Sequence, residues 1–241
     1  MRKYIYTILC FLVIFDIQAQ HLEIDYIQIA KSPEGQEFTS FQKLKDDGKS
    51  SLYLEKDTSF SSSNNVIKLK RNKPTGIYID KTKDILILYA PIFNKDYYVM
   101  EDSLFDLIKW TIIDTVKKTI LNYECKLATA NFRGREYKVF FTESLPFFTG
   151  PWKLCGLPGA ILEAITVDGL FQFKAIQVYL KRNQDNIINP YSTVNEPFIG
   201  FLEHKKLFLK KLKDAQQKAQ SQEKDDDVEY TFKDNSIEIL K

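Results

Sequence analysis

From residue 22 to residue 181 the chain is a succession of short alternating runs of apolar and polar residues. Residues 22–29 (LEIDYIQI) set the pattern. A repeat of two puts one set of side chains on each face of an extended strand, so these runs predict half-buried β-strands. Further strands are predicted at 51–56, 76–79, 84–89, 97–100, 109–113, 119–131, 136–142, 160–167 and 170–180. Punctuation agrees with this division: Asp80-Lys81-Thr82-Lys83, Arg133-Gly134-Arg135 and Asp168-Gly169 are turn sequences between apolar runs. The runs follow one another through short connections without helices between them. Parallel pairing needs long crossovers, so the pairing is predicted to be mainly antiparallel. About ten strands in one sheet must curl or split into two layers.

The pattern changes after residue 182. Residues 183–195 are rich in Asn, Ser and Pro and read as a loop. From Glu196 to about Gln222, Phe198, Phe201, Leu202, Leu207, Leu209 and Leu212 give a broad apolar side at helical spacing, with Lys, Gln and Ala elsewhere. This predicts a helix covering the sheet. Two short strand-like pieces follow, at 228–232 and 237–240, and residues 59–65 form a polar, Ser-rich loop. The predicted fold class is mainly β: a curved antiparallel meander, half-barrel or sandwich-like, with a C-terminal helix.

The first nineteen residues do not belong to that fold. Arg2 and Lys3 precede an apolar run from Tyr4 to Phe15, and Ala19 supplies a small residue after it. Basic start, apolar run and small residue are the parts of a cleavable secretory signal. The run is about a dozen residues long, whereas a membrane-spanning helix needs roughly 20. Cleavage after Ala19 leaves a chain starting near Gln20, with no later transmembrane segment expected. The division is then 1–19 signal peptide, 20–182 β domain, and 183–241 loop, helix and tail packed on the same domain. The predicted location is the periplasm or outer cell envelope, or the exterior.

Composition narrows the classes further. Hydrophobic residues make up 44% of the 241, enough for a sizeable core, and the formal net charge is only +2. Charges of both signs are interspersed, which excludes the broad basic field that nucleic acid requires. Export removes Cys10 and leaves Cys125 and Cys155. An even pair in an oxidising compartment predicts a disulfide, which would close a loop worth about 3–4 kcal/mol by chain entropy; two free thiols are the alternative. His21 and His204 are the only histidines. Neither lies in a His-Glu-x-x-His motif or beside a Gly-x-Ser-x-Gly elbow, so no metal site, no cofactor and no Ser–His pair is predicted. Acidic residues are plentiful, and carboxylate pairs made by the fold stay open as a route to hydrolysis.

The most distinctive stretch is 145–163, LPFFTGPWKLCGLPGAILE, which holds three of the nine glycines and three of the eight prolines. Proline fixes φ and glycine permits the left-handed region, so their alternation specifies one irregular path. Trp152, Leu154, Leu157 and Ile161 are the predicted anchors of a packed connection between strands. Gly156-Leu157-Pro158-Gly159 leads into a strand and lacks the Lys-Ser/Thr of a phosphate loop. Glu163, in an alternating strand, is read as an ordinary outward-facing acid. Arg133 and Arg135, flanking the turn glycine, could contact an anion or pin the turn through local salt links.

The run 156–163, GLPGAILE, resembles the signature of the GLPGLI family of exported Bacteroidetes proteins, with Ala160 in place of Leu. The neighbouring Tyr123-Glu124-Cys125-Lys126-Leu127-Ala128, Phe132-Arg133-Gly134-Arg135 and Gly150-Pro151-Trp152-Lys153-Leu154-Cys155 agree with it. The resemblance covers about 120–180 in detail. It implies an envelope or secreted protein and assigns no catalytic residue. Its motif positions here are Gly150, Pro151, Trp152, Lys153, Gly156, Leu157, Pro158, Gly159, Ile161, Leu162 and Glu163, read as structural. The functional expectation is a non-enzymatic binding or envelope-assembly protein that takes an apolar ligand or an envelope protein on the concave face of its sheet. The alternatives are a hydrolase using paired carboxylates and a scaffold subunit of a surface complex.

Overall fold

The computed structural model describes residues 20–32, 35–60, 66–67, 74–182, 185–222 and 237–239. The signal region, and the strand foreseen at 228–232, lie outside them. Thirteen strands form one open, curved sheet. In chain order they are β1 (Gln20–Lys31), β2 (Glu37–Asp46), β3 (Ser50–Phe60), β4 (Val66–Ile67), β5 (Ile77–Asp80), β6 (Ile85–Tyr89), β7 (Tyr98–Asp102), β8 (Thr111–Ile120), β9 (Tyr123–Phe132), β10 (Arg135–Thr142), β11 (Ala160–Thr166), β12 (Phe171–Arg182) and β13 (Phe198–Gly200). One helix, α1 (Phe201–Gln222), follows.

The spatial order is β13-β7-β6-β5-β3-β2-β1-β12-β11-β10-β9-β8, with β4 beside β3. Two meanders therefore meet where β1 pairs antiparallel with β12. This order forces the sheet to curl. β7 and β8 stand ten places apart, which at about 4.8 Å per strand is roughly 48 Å in a flat sheet. The eight residues joining them, 103–110, reach about 30 Å at most. A short 3-10 turn at Leu104–Asp106 makes that crossing.

Alternation places the core. Leu22, Ile24 and Tyr26 of β1 point into one buried cluster with Leu44, Tyr53, Ile79, Leu86 and Leu162. The intervening Glu23 and Asp25 point to the opposite face, where they pair with Lys43, Lys56 and Lys181. A second cluster lies under β9–β12, built on Ala128, Tyr137, Val139, Phe141, Ile161 and Phe173. A third covers the other side of the first meander, where Tyr191 of the 185–197 loop sits on Tyr78, Ile87 and Tyr98.

Four expectations need correction. Residues 119–131 are not one strand: Leu121 and Asn122, at φ 49° and 69°, turn the chain between β8 and β9. β2 interrupts the foreseen strand list. The C-terminal helix starts at Phe201, because residues 198–200 pair in parallel with β7 at the sheet's edge. Nor is the helix a broad cover for the sheet: α1 packs chiefly against β13 and β7.

Candidate functional site

The segment between β10 and β11 connects neighbouring strands of the second meander. Its backbone is fastened internally by Leu154 N–H to Pro151 O (3.1 Å), Gly159 N–H to Leu157 O (2.7 Å) and Ile161 N–H to Thr149 O (2.9 Å). Its outward attachments reach the opposite meander. Lys81, beside β5, donates to Phe147 O while holding the buried Asp46 carboxylate at 2.6 Å. Trp110 Nε1 donates to Cys155 O at 2.8 Å. Leu154, Leu157 and Ile161 are fully buried, as foreseen, and Leu162 is buried with them. Trp152 is half-buried, stacked on Tyr137 (centroids 6.2 Å apart) and tilted against Phe132 (5.6 Å). Much of the concave face is thus occupied by the chain itself. Gly159 permits this fit: a Cβ there would lie 2.0 Å from Thr142 O.

Lys153 is the unexpected member of the segment. Its side chain is only 2% exposed, and an ammonium at that depth persists only when paired. Its Nζ lies 2.7 Å from Glu101 Oε1 of β7 and 2.7 Å from Glu238 Oε1 of the C-terminal tail. Arg133, in the two-residue turn between β9 and β10, donates to the other oxygen of Glu101. The turn gives Arg133 φ 49° and Gly134 φ 78°, the left-handed pair that matches the twist of a tight hairpin. Phe201, the first residue of α1, lies over the Arg133 guanidinium at 3.2 Å. Five separate parts of the chain converge on this clamp.

Residues 237–239 cross it, bending at Ile237 and Glu238, without joining the sheet. Ile239 N–H donates to Arg133 O at 2.9 Å, and Ile237 O accepts from Arg135 Nε at 3.2 Å. Ile237 packs against the second core cluster. Two clefts flank the clamp. One, of about 440 Å³, is lined by Met100, Leu107, Phe198 and Leu202 together with Glu101 and Arg133. The other, of about 510 Å³, is lined by Asn131, Lys205 and Ile239 together with Arg133.

The remaining expected residues are placed as follows. Arg135 is buried and pairs with Asp168. Burial acts to raise the Asp168 carboxyl, but the Thr166 hydroxyl, the Leu170 amide and Arg135 outweigh it and hold it below the usual range. Both turn arginines thus pair with the chain's own carboxylates, the local salt links that were the alternative to an outside anion. Glu163 accepts from Lys118 through both oxygens, at 2.9 and 2.8 Å. His21 is buried, and His204 Nε2 lies 2.9 Å from Ala90 O. Among the described residues no group of three or more His, Cys, Asp and Glu could hold a metal ion.

The expected Cys125–Cys155 disulfide is not formed: both cysteines are free and buried. They sit in different surroundings. Cys125 Sγ turns to Tyr123 O at 3.5 Å and feels Glu163 and Lys118, whereas Cys155 feels Lys81, Asp84 and Glu101. Burial pushes the two thiols up, to about 11 and about 12.

The buried acids Glu23, Asp25, Asp46, Asp80 and Glu101 each face a lysine or arginine within 4 Å. Sequence reasoning singled out Lys153 and Arg133 but missed Glu101, Glu238 and Phe201. The tail's apolar–acidic–apolar order was visible, but it was read as a strand.

No family model matches this chain, and no curated protein matches it. Solved structures do. PNGF-II, in its P21 and C2 crystal forms, is 18% identical over 80% of this chain, with TM-scores of 0.53 and 0.55. The match covers 34% and 33% of those chains, so this chain spans about a third of PNGF-II and shares the fold of that third. The MucA/MucB complex of Pseudomonas aeruginosa matches over 70% of this chain and 54% of that one, at 6% identity and a TM-score of 0.32, a likeness too faint to carry an argument.

Proposed function

We propose that this protein is an exported, non-enzymatic envelope protein that binds a short protein segment at the Glu101–Lys153–Arg133 clamp. The observation that carries this reading is residues 237–239 seated there, held by a backbone bond from Ile239 to Arg133 O, by the Arg135 side chain on Ile237 O, and by a carboxylate in the middle. Main-chain bonds that give affinity, with side-chain contacts that give specificity, are how a protein surface takes up a peptide segment. The signal pattern of residues 1–19 and the resemblance to the GLPGLI family support export. Among the described residues no helix is long and apolar enough to cross a membrane. The filling of the concave face favours a protein segment over an apolar small molecule there. The neutralised buried carboxylates weigh against the hydrolase alternative.

A second reading, a scaffold subunit, is favoured by one observation. β8 ends the strand order with β9 as its neighbour, and it is exposed along most of its ten residues. An open edge of that kind is a template for another strand.

The test is photo-crosslinking in cells from Leu202, which lines one cleft and is 77% exposed. The binding reading expects a protein adduct at Leu202 that Glu101→Lys abolishes. Adducts that survive Glu101→Lys, or that form at Val116 of β8 and not at Leu202, would replace it with the scaffold reading.

A further inference from the structure

We infer that the tail residues Ile237, Glu238 and Ile239 are a displaceable occupant of the clamp, and that the partner is a protein segment of the same apolar–acidic–apolar order. This rests on the binding reading above and specifies its ligand. Without Glu238 the clamp holds two cations, Lys153 and Arg133, against one carboxylate, Glu101. A buried excess of positive charge demands an anion, so the occupant must bring an acid to this position.

The tail brings one, but it fits imperfectly. Glu238 Oε1 stops 3.9 Å from Arg133 Nε, which is buried without a hydrogen-bond partner among the described residues. A guanidinium presents two parallel donors to a carboxylate, and here the second is unmet. A segment whose carboxylate sits slightly deeper would meet it and outcompete the tail. The flanking apolar positions are also defined. Ile237 packs on the second core cluster, and Ile239 lies so close to the turn that a Cβ on Gly134 would be 2.7 Å from the Ile239 Cβ. The clefts on either side of Arg133, about 440 and 510 Å³, leave room for the partner's neighbouring residues.

The experiment uses the full chain and a fluorescein-labelled peptide with the sequence of residues 234–241, DNSIEILK, read by anisotropy. Glu238→Lys expels the tail by repulsion from Lys153 and Arg133. The peptide then binds at a concentration roughly tenfold or more below that needed by the unchanged chain, because the competent state is no longer masked. A peptide with Gln in place of Glu does not bind. Equal binding to both proteins, or no binding to either, overturns the proposal. Should Glu238→Lys fail to fold, hydrogen exchange of the unchanged chain decides: excess peptide must accelerate exchange of the Ile239 amide, and an unaltered rate overturns the proposal. Adducts at Leu202 that Glu101→Lys abolishes but the peptide does not compete away sink this inference and leave the binding reading standing. Peptide binding to Glu238→Lys with no adduct in cells shows the reverse.

Discussion

Gly159→Ala tests whether the segment between β10 and β11 is a fitted plug or a tolerant loop. The added methyl would stand 2.0 Å from Thr142 O, 2.6 Å from Thr142 C and 3.1 Å from Glu143 Cα. All three are backbone atoms, so no flexible side chain can move aside. The neighbouring backbone is also committed, since Gly159 N–H bonds Leu157 O and Ala160 N–H bonds Leu145 O. Relief requires shifting the end of β10 against the start of β11, where Phe141 pairs with Ile161 at a register shift. Overpacking of a well-filled core costs about 1–3 kcal/mol, and contact against fixed backbone belongs at the upper end or beyond, so about 3 kcal/mol is expected. In a domain of this size that lowers Tm by roughly 6–12 °C. Gly200→Ala is the control, because it has ordinary φ and nothing within 4 Å of the added Cβ. It should be neutral or stabilising by about 0.4–1 kcal/mol. The assay is urea unfolding followed through Trp110 and Trp152. A Gly159→Ala protein within about 0.5 kcal/mol of the parent would refute the argument, since ordinary surface changes fall in that range.

Trp152→Ala removes the ring stacked on Tyr137 and Phe132. It should cost about 3 kcal/mol, at the low end for a large aromatic because the ring is only half-buried; unchanged thermal unfolding would show that the ring supports nothing. Lys153→Met leaves Glu101 and Glu238 without their 2.7 Å partner. A loss of about 3 kcal/mol is expected in urea unfolding, and a variant as stable as the parent would mean that Arg133 alone compensates both acids. Cys125 and Cys155, with thiols pushed up to about 11 and about 12, should resist alkylation in the native state at pH 8. Mass mapping after alkylation in denaturant without reductant should find both labelled, whereas two unlabelled cysteines would restore the disulfide.

The sheet was legible where apolar alternation coincided with recognisable turn chemistry. Asp168-Gly169 and Arg133-Gly134 carry residues suited to φ above zero, and both mark real hairpins. The turn at Leu121-Asn122 was not legible, because leucine seldom adopts φ 49° and Asn122 was the single turn residue in a long strand-like run. The start of α1 was obscured differently. Phe198 fits the helical apolar stripe equally well, but β7 offered an unpaired edge, and three residues satisfied it by pairing in parallel. Sequence periodicity reports which face is apolar and does not report which backbone partner is vacant.

The clamp shows the same limit from the side of charge. Lys153 stood in a motif read as structural, and a lysine between Trp152 and Leu154 could have pointed outward like most lysines. What buries it is the segment's path. Leu154 N–H to Pro151 O closes a turn with Trp152 at φ 56°, and that turn aims the lysine toward the crossing strand β7. Glu101 awaits it 52 positions earlier, and Glu238 arrives 85 positions later. Neither acid has any local feature that distinguishes it from its neighbours, because their significance is created by the curl of the sheet. The motif that resembles a family thus encodes the plug's path in its glycines and prolines. The chemistry a partner would meet needs residues outside that motif as well, Glu101 of β7 and Arg133 of the β9–β10 turn beside Lys153, which is why the motif alone assigned no role.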